Sequence, residues 1–110
     1  MAHYLCQVAY TSEAWAAQVK NPADRVKIVS ALLEALGARF EAAYLCFGEY
    51  DIVFIMEAPD NVSAAAISMA ITAGGAVKAY KTTPLITTDE GIDAMRKASE
   101  AAASYRPPGA

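Results

Sequence analysis

The chain has 110 residues, enough for one domain and too few for two conventional cores. It is 55% hydrophobic, but 25 residues are Ala, so a core must rest on fewer, larger side chains. Charged residues make up 19%, below the roughly 25% of typical domains, which leaves surface that a partner could cover. The net charge of −3 and nine scattered basic residues supply no cationic stripe for nucleic acid or an anionic membrane. The longest strictly apolar run, residues 52–56, falls far short of the roughly 20 residues of a membrane span. No basic segment followed by an apolar one opens the chain, so the reading is of a soluble, cytoplasmic protein.

Residues 3–10 alternate, with Tyr4, Cys6, Val8 and Tyr10 on one side and His3, Leu5, Gln7 and Ala9 on the other, the period of a first strand. Residues 12–20 form a short helix around Trp15. Asn21-Pro22 supplies an N-cap and a first-turn Pro for a second helix. Val29, Leu32, Leu33 and Leu36 give that helix its buried stripe, and Gly37 ends it in a left-handed conformation. Residues 39–47 and 50–57 read as a β-hairpin reversing at Gly48-Glu49. Ile52 and Phe54 point to one side of the second hairpin strand and Val53 and Ile55 to the other, so that strand is expected inside the sheet and buried on both faces.

Pro59 ends the strand, and Asp60 or Asn61 caps a helix reaching about Thr72. Its expected stripe is Val62, Ala65, Ala66, Met69 and Ala73, with Gly74-Gly75 beyond it. Residues 76–85 make a fourth strand halted near Pro84, and Thr88 or Asp89 caps an Ala-rich helix to about Ser104. The domain therefore covers residues 1–104, and residues 105–110, with Pro107-Pro108-Gly109, form a disordered tail. The order β, α, β, β, α, β plus a final helix predicts an α+β, ferredoxin-like fold with an antiparallel sheet in the order 4-1-3-2. Two crossover helices cover one sheet face. The other carries apolar side chains that need a second layer, and an identical subunit is the simplest source, so the chain is expected to be a homodimer or an assembly of dimers.

The block GEYDIVFIMEAPDN, residues 48–61, resembles the signature of the GYD-domain family, whose Gly, Tyr and Asp stand here as Gly48, Tyr50 and Asp51. Tyr4, Thr11, the helix with Arg25, the lead-in LLEALGARFEAAYLCFG and the Gly-Gly-Ala-Val-Lys opening of the fourth strand extend the resemblance over roughly residues 3–85. It implies a ferredoxin-like unit of the dimeric α+β barrel type, among small bacterial and archaeal proteins of largely unassigned biochemical role. It brings no catalytic residues with it. Family members usually carry Gly after the first-strand Thr, where this chain has Glu13-Ala14-Trp15, so the segment is expected to be helical and differently packed.

Candidate site residues are few. Tyr50 and Asp51, joined by Tyr4 or Tyr80, could supply the polar groups of a sheet-lined pocket for a small organic ligand, with Asp51 accepting a proton or orienting the ligand. Turn chemistry competes with that reading, since Gly48 and Asp51 suit a hairpin reversal. Cys6 and Cys46 lie on strands separated by a third, near 10 Å apart and beyond disulfide reach, so both are read as small buried hydrophobes. His3, the only His, reads as an exposed terminal residue, and Trp15 with Tyr10 as an interface anchor. No phosphate loop, nucleophile elbow, cofactor motif or metal-ligand spacing occurs. Three functions remain open: a homo-oligomeric small-ligand-binding or regulatory module, a cofactor-free enzyme on a small organic molecule, or a purely structural assembly protein.

Overall fold

A computed structural model describes residues 1–109. Its elements are β1 (Ala2–Tyr10), α1 (Ser12–Lys20), α2 (Arg25–Ala35), β2 (Arg39–Leu45), β3 (Ile52–Ala58), α3 (Asn61–Ala73), β4 (Val77–Leu85) and α4 (Thr88–Ala101), followed by a 3₁₀ turn, Ala102–Ser104. The four strands form one antiparallel sheet in the order β2-β3-β1-β4, the ferredoxin-like arrangement expected from the sequence. No helix among the described residues is long and apolar enough to cross a membrane.

Local chemistry sets each boundary. Thr11 caps α1 by accepting a hydrogen bond from the Ala14 amide. α2 begins three residues later than the Asn21-Pro22 pair suggests. Asp24 is its N-cap, accepting from the Val26 and Lys27 amides, while the Asn21 amide closes the end of α1 on the Ala17 carbonyl. A carboxylate able to take two amides outcompetes a Pro placed too early in the connection. At the other end of α2, the Ala38 amide donates to Leu33 O and the Gly37 amide to Glu34 O, the paired bonds of a Schellman stop. Gly37 has φ +74°, and a Cβ there would meet Pro59 Cγ at 3.1 Å, so both conformation and space require glycine.

One sheet face packs under α2 and α3. Tyr4, Cys6, Val8 and Tyr10 of β1 and Ile52, Phe54, Met56 and Ala58 of β3 are buried there with Leu33 of α2 and Ala64 and Ile67 of α3. Leu33, Ile52 and Phe54 are core residues as expected, whereas Leu32 and Leu36 are only half-buried. The stripe expected for α3 is rotated. Ala64 and Ile67 face the sheet, and Val62 and Met69 are exposed. That helix is apolar on nearly every side, and the bulkier Ile67 and Ile71 win the sheet face over Ala65 and Ala66.

Among the described residues no helix covers the other sheet face. The pairings Leu5↔Ile55, Gln7↔Val53, Ala42↔Ile55 and Ala9↔Ala79 set Leu5, Ile55, Val53 and Ala42 side by side across β1, β3 and β2. Val53 and Ile55 are half-exposed, so within one chain β3 is buried on one face and not on both. α4 leaves the body of the molecule. Thr87, one residue before the expected cap, forms a reciprocal capping box with Glu90, and every residue of α4 except Gly91 is exposed. The chain consequently extends 59 Å along its longest axis, and its radius of gyration is 17.8 Å, against about 13 Å for a compact chain of this length. Residues 105–109 contain neither helix nor strand, and Ala110, the last residue of the expected tail, lies outside the described residues.

Candidate functional site

The signature residues sit on the connection between β2 and β3, residues 46–51, which is longer than the two-residue reversal expected at Gly48-Glu49. Gly48 has φ +144° with open space where a Cβ would project, so conformation alone demands glycine. Asp51 fastens this loop to the neighbouring strand. Its carboxylate Oδ2 accepts the Tyr10 amide at 2.8 Å, its own amide donates to Val8 O at 2.8 Å, and its carbonyl accepts the Cys46 amide at 2.8 Å. The Tyr50 carbonyl accepts a hydrogen bond from Cys46 Sγ at 3.2 Å. Asp51 therefore straps the hairpin to the end of β1, a role across strands that turn chemistry by itself does not contain.

The strap fixes the end of β1 beneath a cleft. α2 packs mainly toward β2 and α3 toward β4, and between them opens a cavity of about 300 Å³ over β1 and β3. Its floor is Val8, Ile52 and Phe54, and its walls are Ile28, Val29 and Leu32 of α2, Ala70 and Ile71 of α3, and Gly74, which caps α3. Tyr10 and Arg25 carry its side-chain polarity. Burial pushes the Tyr10 phenol above its ordinary range. The Arg25 guanidinium beside it opposes the rise, and the Asp51 carboxylate adds to it. The phenol is thus a neutral hydrogen-bond donor at physiological pH. Arg25 forms no ion pair among the described residues, although Asp24 and Asp51 lie on adjoining segments. Trp15 meets Tyr10 edge-on, with ring centroids 5.5 Å apart and planes at 81°, so it braces the cleft wall within its own chain. A shallower groove of about 780 Å³ between Trp15, Val19 and Leu45 shares Arg25, Val26 and Ile52 with the cleft.

The structure divides the four candidate residues. Tyr4 and Tyr80 come together at a second hollow of about 350 Å³ under α3, where Tyr4 donates to Asn61 Oδ1 at 2.6 Å. Tyr50 and Asp51 line neither this hollow nor the cleft. The Tyr80 and Thr82 hydroxyls are buried without a hydrogen-bond partner beside the Cys6 thiol. Burial pushes the Tyr80 phenol strongly upward and the Cys6 thiol upward as well, so both are neutral. Cys6, on β1, and Cys46, on the β2–β3 connection and not on a strand, are both free thiols. Arg25 and Tyr10 were not singled out as a pair by the sequence. The one available signal was a cation at the first position of a helix, where the macrodipole disfavours it.

On the uncovered sheet face, His3 Nδ1 lies 3.0 Å from Glu41 Oε2 and His3 Nε2 lies 3.9 Å from Glu57 Oε1, with Arg39 bonded to Glu57. His3 is therefore half-buried in a polar cluster instead of standing free at the terminus. The Arg39 hydrogen bond holds the Glu57 carboxyl below the usual carboxylate range. Among the described residues no group of three His, Cys, Asp or Glu side chains is arranged to hold a metal ion.

The family model described as GYD domain matches residues 4–95. No curated protein matches the chain. Among solved structures, the crystal structure of FFRP-DM1 is similar with a TM-score of 0.51 and 17% identity, over 78% of this chain and 100% of that one. The hypothetical protein PHS023 from Pyrococcus horikoshii is similar with a TM-score of 0.50 and 17% identity, over 79% of this chain and 92% of that one. At such identity these two likenesses concern the fold.

Proposed function

This chain belongs to the GYD-domain family, and from that premise we propose that it works as a homo-oligomeric module that binds a small organic molecule in the cleft between α2 and α3. The observation that carries the assembly half is the sheet face with Leu5, Val53 and Ile55 half-exposed and no layer over it. A four-stranded sheet with one bare apolar face is completed most economically by a second copy, face to face, with the His3–Glu41–Glu57–Arg39 cluster at one edge of the contact. Two further features favour it. α4 projects with Ile92 and Met95 exposed, and a lone helix of 14 residues is marginal in water without something to pack on. The low charge content agrees as well.

The ligand half rests on the cleft, whose walls are apolar and partly open and whose polar groups are two. The hairpin signature acts on this site indirectly, by holding Tyr10 in place through Asp51. Native mass spectrometry of freshly purified protein tests both halves at once. The expected spectrum shows a species of twice the 11.6 kDa chain with added mass that is lost on denaturation. A bare single chain after gentle purification would contradict the proposal.

A further inference from the structure

We infer that the cleft between α2 and α3 is a site for a small monocarboxylate with an apolar body, its head group held by the Arg25 guanidinium and the Tyr10 hydroxyl. This rests on the small-ligand reading above and adds the ligand's chemistry. The floor and walls, with Phe54, Val29, Leu32 and Ile71, are predominantly apolar, so they suit a guest with an apolar body. The volume of about 300 Å³ is at the small end of ligand cavities and suits a compact aromatic or medium-chain acid.

The head group follows from charge and donor count. Arg25 is the one cation in the lining, it forms no ion pair among the described residues, and it stands at the first position of α2, where the helix dipole adds positive potential. Neither carboxylate on the adjoining segments pairs with it. Asp24 Oδ1 takes the Val26 and Lys27 amides, and Asp51 Oδ2 takes the Tyr10 amide. The Tyr10 phenol, neutral and adjacent, adds an O–H donor. One planar fork plus one hydroxyl matches a single carboxylate, whereas a dianionic phosphate would call for more cations than this site holds. Position favours the pairing too, since an apolar surround strengthens a charge-assisted hydrogen bond relative to one in water.

Octanoate and its neutral counterpart 1-octanol are the probes, with the fluorescence of Trp15, the only tryptophan, as readout because its ring packs on Tyr10. Octanoate is expected to give a saturable change and to bind more tightly than octanol. Arg25→Gln should weaken octanoate about tenfold or more and leave octanol unchanged. Arg25→Lys should recover part of the loss, and Tyr10→Phe should weaken octanoate by a smaller factor. Lys20→Gln, which removes the same charge at the exposed end of α1, should change nothing. Equal binding of acid and alcohol, or octanoate binding indifferent to Arg25→Gln, overturns the carboxylate assignment and leaves the cleft a neutral apolar site. Binding of neither probe overturns the small-ligand reading along with it.

Discussion

Replacing Asp51 by Ala removes the acceptor that ties the β2–β3 loop to β1 and leaves the Tyr10 amide without its partner. A hydrogen bond to a charged acceptor contributes about 1.5 to 3 kcal/mol. Asp51 is half-buried, so solvent screening places it at the lower end, near 1.5 kcal/mol. For a domain of this size that corresponds to a drop of about 6 to 12 °C in melting temperature. Asp51→Asn keeps an oxygen in the same place and loses only the charge, so its cost should be about 0.5 to 1 kcal/mol. Urea unfolding followed by tyrosine and tryptophan fluorescence at fixed protein concentration gives both values, and the m-value should not change. The signature Asp is then architectural, reaching the cleft only through Tyr10. An Ala variant as stable as the native protein would refute this reasoning, as would one that loses octanoate binding while Tyr10 stays correctly placed.

Gly48→Ala should cost about 1 to 3 kcal/mol in the same assay, because φ of +144° strains any L side chain although the space is open. Tyr50→Phe should be nearly neutral, since only the main-chain carbonyl of Tyr50 makes a hydrogen bond in the structure. Iodoacetamide should modify half-buried Cys46 well before Cys6, whose burial raises its pKa, and intact-mass kinetics would show the order. The Thr87 amide holds the Glu90 carboxyl below its unfolded value, so its contribution to α4 is complete above that value and is lost as pH falls through the folded one. Circular dichroism should show loss of helix on acidification below the carboxylate range, and Thr87→Ala should already weaken α4 at neutral pH.

Periodicity exposed most of the fold. The alternation from Tyr4 to Tyr10, the Leu33 stripe ended by Gly37 and the dense run from Ile52 to Met56 are each enforced by one dominant local signal. Where two local signals compete, pattern alone does not decide the boundary. Asn21-Pro22 looked like a helix start, but Asp24 caps two amides, and α3 had no polar side to reveal which stripe would meet the sheet. The site was less legible for a related reason. Arg25 and Tyr10 are 15 positions apart, Asp51 is 26 further on from Arg25, and only the pairing of β1 with β3 and the entry of α2 bring them together. Sequence proximity favours Tyr50 and Asp51, but the Asp51 carboxylate is taken up by the Tyr10 amide and neither residue lines the cleft.

Pairing of two sheets through the bare face is the central claim, and sedimentation equilibrium of the native chain beside Ile55→Lys tests it most directly. Ile55 lies mid-strand on that face next to Leu5 and Ala42, where a Lys stem can lie along one chain's sheet but two ammonium groups cannot be buried between copies. At micromolar concentration the native protein should sediment at twice 11.6 kDa or a multiple of that, and the folded variant at 11.6 kDa. A native protein already at 11.6 kDa, or an Ile55→Lys variant that assembles as the native chain does, would contradict the account.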